Sequence, residues 1–321
     1  MNRIFCISPC WNVLTDIFQV QTTSRFQFVQ SPERENILSL ALRIIPRLDI
    51  KGPNLVKGMH LEGLRVLGKP EHFARYYYEQ GADELIYQDV VASLYGRNSL
   101  HEIISRTAKE VFIPLTVGGG LRTLDDISAV LRAGADKISI NTAAHKEPDL
   151  ITKASKMFGR STIVVSIEAI RQPDGVYEAF TDNGRNRTGR DVVSWAMEIE
   201  QLGAGEILLT SVDKEGTGDG LDMELIRKVS SIINIPLVVH GGIGQSEHVL
   251  GVEKESKISG IAIASLLHYH FIKTNRNVDG FEAEGNIEFL KSNRLFSKIN
   301  PMSLSDLKNA LSAAKINCRL N

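Results

Sequence analysis

Two carboxylates stand where short apolar runs give out. Asp49 lies at the end of RIIPRLDI (43–50) and Glu168 at the end of TIVVSIE (162–168). A pair of acids facing one space can divide proton transfer, one donating while the other accepts. Each positioned group is worth a factor of about 10²–10⁴ in rate. Either acid taken alone has a plainer use, capping the next helix or pairing with a lysine. The glycines suggest a second chemistry. IPLTVGGGLR (113–122) and IPLVVHGGIG (235–244) are nearly the same phrase, each an apolar run opening into glycines. Backbone N–H groups exposed at such a turn suit a phosphate. The candidates are Gly119 and Gly120 in the first copy and Gly242 in the second, with Gly216 in another Gly-rich loop. Asn141 with Thr142, and Ala264 with Ser265, would complete the two cradles. For a lone glycine pair a tight turn with no ligand is the better explanation, but two related cradles suggest a substrate with a phosphate at each end.

These residues need elements to hold them. From residue 43 onward, eight short runs rich in β-branched residues alternate with amphipathic segments: 43–50, 84–90, 113–117, 137–141, 162–168, 206–212, 235–239 and 260–264. They are apolar nearly throughout, as strands covered on both faces must be. Thr123 and Asp126 have capping-box spacing, Pro70 and Pro148 suit first helical turns, and Gly81, Gly134 and Gly203 suit helix ends. A final helix is expected near 303–316. Eight such units fit an α/β fold of the (β/α)8 TIM barrel type, and a doubly wound open sheet has the same alternation. The repeat decides between them. GADELIYQDV (81–90) echoes GAGEILLTSV (203–212) at the offset that separates the two glycine phrases, 122 residues from 113 to 235. Two similar half-barrels close naturally into a ring. Asp49 and Glu168 differ by nearly that offset, which would set them on opposite sides of the mouth, where barrel enzymes keep their reactive groups.

Arg43, Glu84, Lys137 and Glu206 each begin a run, and so belong at the other end of the barrel. Charges there solvate a rim or, as a mixed-sign ring on the axis, gate a passage. The bulk numbers are those of an ordinary globular chain: 321 residues, 43% hydrophobic, 23% charged, net charge −1. No basic run marks a nucleic-acid surface, and no run reaches the roughly 18 apolar residues of a membrane span. Cys6, Cys10 and Cys318 lie outside the patterned middle, so neither a disulfide framework nor a metal centre is expected, and a cytoplasmic setting is. No cofactor is called for. Residues 1–40 read as an extension of unknown role, and 41–321 as the barrel with a surface insertion near 273–300.

RIIPRLDIKG, VGGG, DKISINTAA, GAGEILLTSVDKEGTGDG and the closing NALSAAKINCRL together resemble the cyclase subunits of imidazole glycerol phosphate synthase, the HisF-type proteins. The resemblance covers about residues 43–272 and the last helix. It implies an ammonia-using subunit of a glutamine amidotransferase, paired as a heterodimer with a glutaminase. Ammonia would pass up the barrel to a bisphosphorylated ribulosyl aminoimidazole carboxamide ribonucleotide, giving imidazole glycerol phosphate and an aminoimidazole carboxamide ribotide. In this reading Asp49 matches the first catalytic aspartate and Lys57 a lysine of the mobile loop after strand 1. The four-charge ring matches the channel entrance. Glu168 stands at the second catalytic aspartate, Glu215 at another aspartate, and His240 at a position normally small. Some relatives accompany surface-polysaccharide genes, so nitrogen transfer to a sugar nucleotide is an alternative. A non-catalytic phosphosugar-binding partner of a glutaminase is a third.

Overall fold

The computed structural model describes residues 41–92, 100–252, 257–275 and 298–320. Residues 1–40, with Cys6 and Cys10, and the greater part of the expected insertion, 276–297, lie outside the described residues. The first half of the chain forms β1 (Arg43–Lys51), β2 (Asn54–Met59), β3 (Glu62–Gly68), β4 (Leu85–Asp89), β5 (Leu115–Gly118) and β6 (Lys137–Ile140). The second half forms β7 (Ile163–Arg171), β8 (Tyr177–Thr181), β9 (Asn186–Asp191), β10 (Glu206–Ser211), β11 (Leu237–His240) and β12 (Gly260–Ile263). Eight of these strands pair in parallel around a closed ring, β1–β4–β5–β6–β7–β10–β11–β12 and back to β1. The β7–β10 and β12–β1 ladders rule out the open sheet and make the molecule a (β/α)8 barrel.

The four remaining strands form two antiparallel hairpins, β2–β3 after β1 and β8–β9 after β7. Asp49 pairs with Val56 on the first hairpin, and Glu168 with Phe180 on the second. Each half-barrel therefore begins with the same device, a strand ending in an acid and continuing into a hairpin. The tips meet: the Asn183 side-chain amide donates to the Leu61 carbonyl at 2.8 Å.

Side chains alternate across each strand. The outward set, such as Ile44, Leu48, Leu85, Val117, Ile138, Val165, Ile207 and Val239, packs against the helices in one continuous core. The inward set fills the bore in layers. Ile45, Ile86, Val164, Leu208, Val238 and Ala262 form a separate buried cluster there. Helix ends are as punctuated as the sequence suggests. Thr123 and Asp126 cap Leu124–Ala133 reciprocally, and Gly134 and Gly203 end helices in the left-handed region. Pro148 is an exception, occupying the cap position ahead of Asp149–Phe158 and not its first turn. The last helix, Leu304–Ala313, is clasped to the barrel by a buried Lys308–Asp83 ion pair of 3.0 Å. Asp83 in turn accepts from the Ile44 N–H at 2.7 Å.

Candidate active site

At the lower end of the bore, Arg43 contacts Glu84 at 2.6 Å and also Glu206, while Lys137 reaches both carboxylates at 3.0 Å. The four charges thus form a closed, neutral ring, two cations alternating with two anions. Arg43, Lys137 and Glu206 are the first residues of their strands, and Glu84 immediately precedes β4. The apolar layer of Ile45 and its five neighbours lies directly above.

Over that layer the interior turns polar. Arg47, Thr210 and His240 are all buried there. The Arg47 Nε donates to Asp49 Oδ1 at 2.9 Å, and its Nη1 donates to Thr210 Oγ1 at 3.1 Å. Burial alone would raise the Asp49 carboxyl, but the charges of Arg47 and then Lys57 outweigh it and hold Asp49 below the usual carboxylate range. His240 adds little charge, because burial pulls its imidazole down to about 3. Its Nδ1 lies 3.0 Å from the Ala262 carbonyl, so the neutral ring donates there, leaving Nε2 buried without a protein partner. Lys57 sits on the first hairpin, is almost fully buried and is in contact with Glu215. Burial brings its ammonium down to about 8, still protonated at neutral pH.

Glu168 is in the opposite condition to Asp49. Burial pushes its carboxyl up to about 7, against the Gly184 N–H, the Arg47 charge and the Asn141 amide. The Gly184 bond is 2.8 Å long and comes from the tip of the second hairpin. One acid is therefore ionised at neutral pH, and the other is poised near half-protonation. Environments that push two carboxylates apart are what acid–base assignments require.

Glu168 opens on a cavity of about 240 Å³, whose lining includes Gln88, Gly119, Gly120, Arg122, Asn141, Thr142 and Lys146. The first set of cradle residues thus converges around one acid, with two cationic side chains in the lining. The second set also converges: Lys57, Gly216, Gly242, Ala264 and Ser265 line one space with Glu215 and His240. That space is only about 10 Å³, because the first hairpin closes over it. The His60 N–H donates to the Glu215 carbonyl and the Leu61 N–H to Glu215 Oε2, both at 2.9 Å. Asp49 lines neither cavity.

The glycines at the heart of each cradle have a reason of their own. A Cβ on Gly119 would overlap the Asp89 carbonyl oxygen, and one on Gly242 the Gly220 carbonyl oxygen. Both residues also have φ near +100° (+99° and +95°), where side chains are disfavoured. Neighbouring loops therefore require glycine at both positions, with or without a ligand.

Arg47 and both hairpins are not among the features that strand-end acids point to. The sequence nonetheless carries a signal for Arg47 and for the second hairpin. Arg47 is two residues before Asp49, hence on the same side of the strand, and is the only charge between Arg43 and Asp49. Asp182-Asn183-Gly184 is a hairpin turn signal, and all three residues have positive φ.

Comparison with known proteins agrees with this architecture. The family model described as histidine biosynthesis protein matches residues 43–273. The chain is 60% identical over 206 residues to the imidazole glycerol phosphate synthase subunit HisF of Legionella pneumophila, covering 64% of this chain and 97% of that relative. It is 47% identical over 231 residues to the subunit of the same name from Prochlorococcus marinus strain AS9601, covering 71% of this chain and 90% of the relative. With the family model spanning the barrel from β1 to the helix after β12, the chain belongs to the histidine biosynthesis protein family, in its HisF-type cyclase-subunit branch.

Proposed function

We propose that this barrel accepts ammonia from a glutaminase docked at the charged ring and uses it to close an imidazole ring at the opposite mouth. The substrate would be the bisphosphorylated ribulosyl aminoimidazole carboxamide ribonucleotide, and the products imidazole glycerol phosphate and an aminoimidazole carboxamide ribotide. The observation that carries the reading is the opposed state of the two strand-end acids, Asp49 held ionised and Glu168 raised to about 7. Ammonia addition to a carbonyl and the following ring closure need protons removed from nitrogen and delivered to departing oxygen. Asp49 is suited to accept, and Glu168, lying in the open cavity, to donate and recover its proton. The apolar layer supports passage of neutral ammonia, which needs no counter-charge, while offering nothing to ammonium. Gly119, Gly120, Asn141 and Thr142 would receive one phosphate. Lys57, Gly216, Gly242, Ala264 and Ser265 would receive the other once the first hairpin lifts.

The direct test is turnover of the histidine precursor with ammonium salt by the purified chain, together with complementation of a histidine auxotroph lacking the cyclase. Product formation and growth are expected. No product from folded protein would overturn the proposal. One observation favours a second reading, nitrogen transfer to a sugar nucleotide: the second cradle is nearly closed and has the His240 ring in its lining, whereas the first is open. A substrate with its phosphates grouped at one end would need only the open cradle. Activity on sugar nucleotides with none on the histidine precursor would decide for it.

A further inference from the structure

We propose that Arg47 is a positioning residue, a strut across the bore that fixes the Asp49 carboxylate in one orientation for proton transfer. The proposal rests on the reading of Asp49 as a reacting group. Its basis is where the guanidinium lies. β1 and β10 are not neighbours in the ring, since β12 and β11 stand between them. The bond from Arg47 to Thr210 therefore crosses the interior and does not run along a ladder. Thr210 is fully buried and Arg47 is 2% exposed, so bulk solvent does not reach the interaction. Below the guanidinium is the apolar layer, which supplies no counter-charge. Above it is Asp49, whose Oδ1 takes the Nε hydrogen at 2.9 Å.

The other charged and titratable groups facing Asp49 do not replace this contact. Lys57 is engaged by Glu215, His240 is neutral and turned to the Ala262 carbonyl, and His268 is neutral and paired with the Tyr77 hydroxyl at 2.6 Å. A guanidinium held at two points on opposite walls is a rigid donor, and a lysine could not reproduce the fork. Tethered in this way, Asp49 keeps one oxygen occupied and presents the other.

The test follows the Asp49 carboxyl by carbon NMR in the full chain, assigned with Asp49→Asn, for wild type and Arg47→Met. Ammonium-dependent turnover of both is recorded against pH. Asp49 should titrate about 1–3 pH units higher in Arg47→Met, with the acid limb of kcat moving by the same amount. An unmoved titration, or a kcat lowered equally at every pH, overturns the proposal. Arg47→Lys guards against misfolding of the methionine variant. It should leave the limb in place and lower kcat tenfold or more with little change in KM, and a wild-type kcat would overturn the strut. A wild type that turns nothing over would defeat the functional reading alone, because the titration still decides what Arg47 does to Asp49.

Discussion

Glutamine at position 168 separates the chemistry of that acid from its packing. In the folded chain burial raises Glu168 from 4.5 to about 7, so between those values the folded form holds a proton that the unfolded form has lost. Stability therefore falls as pH rises through this window, and the loss is complete above about 7. At about 1.4 kcal/mol per pH unit, the gap corresponds to roughly 2–3 kcal/mol between pH 5 and 8. Glutamine keeps the shape and an oxygen for the Gly184 N–H but does not titrate. Glu168→Gln should thus gain on the wild type by roughly that amount as pH rises from 5 to 8, while ammonium-dependent turnover drops about 10²-fold or more. Urea unfolding of both proteins at the two pH values measures the difference, in which the histidines cancel. A pH-independent difference would show an unshifted carboxyl, and a variant that loses ground on the wild type as pH rises would show that the site stabilises the carboxylate; either would refute the assignment. Glu168→Asp should retain turnover if the site accommodates the shorter acid.

Three further outcomes are expected. Burial brings His240 and His268 down to about 3, below their unfolded 6.5, so the stability tied to their neutrality is complete above 6.5 and lost as pH falls toward 3; a flat melting temperature from pH 6.5 to 4 would contradict this. Lys137→Ala removes one of the two cations of the ring and should reduce glutamine-dependent turnover with a glutaminase more than turnover with ammonium salt; equal losses would make the ring purely structural. Glu215→Gln leaves the Lys57 ammonium buried without its carboxylate, at a cost of about 3–5 kcal/mol if the hairpin stays closed. The variant should instead open the hairpin and be nicked faster by protease near His60–Leu61, and a wild-type nicking rate would show that the Lys57–Glu215 pair does not hold the hairpin closed.

The barrel was legible because its strands are covered on both faces, which leaves a run such as IPLVV apolar at every position. The half-barrel repeat then supplied closure, and strand ends supplied the two acids and the ring. What escaped was whatever depends on closure itself. Arg47 reads as an isolated charge in an apolar strand until the ring brings Thr210 across from it. The hairpins escaped for another reason. β3 carries exposed Glu62, Gly63 and Arg65, so it lacks the apolar continuity that marks the barrel strands. Glycine is an ambiguous ligand signal at Gly119 and Gly242, where local backbone crowding requires it anyway.

The ladder between β1 and β12 has a consequence for how the chain acquires its structure. Arg43 bonds Ser259 across 216 residues of sequence, and that seam completes the ring. During synthesis, the first strand must wait for nearly the whole barrel before its second neighbour exists. Until then the growing sheet carries two open borders, each a template for pairing with another molecule. Contacts this distant in sequence are slow to form, which lengthens the exposure. The Lys308–Asp83 clasp lies beyond the seam and adjoins β1 through the Ile44 N–H, so it can secure the seam only after release of the final helix. Chains shortened before residue 304 should therefore yield less soluble protein because they aggregate while folding, even where the mouth and its acids are intact.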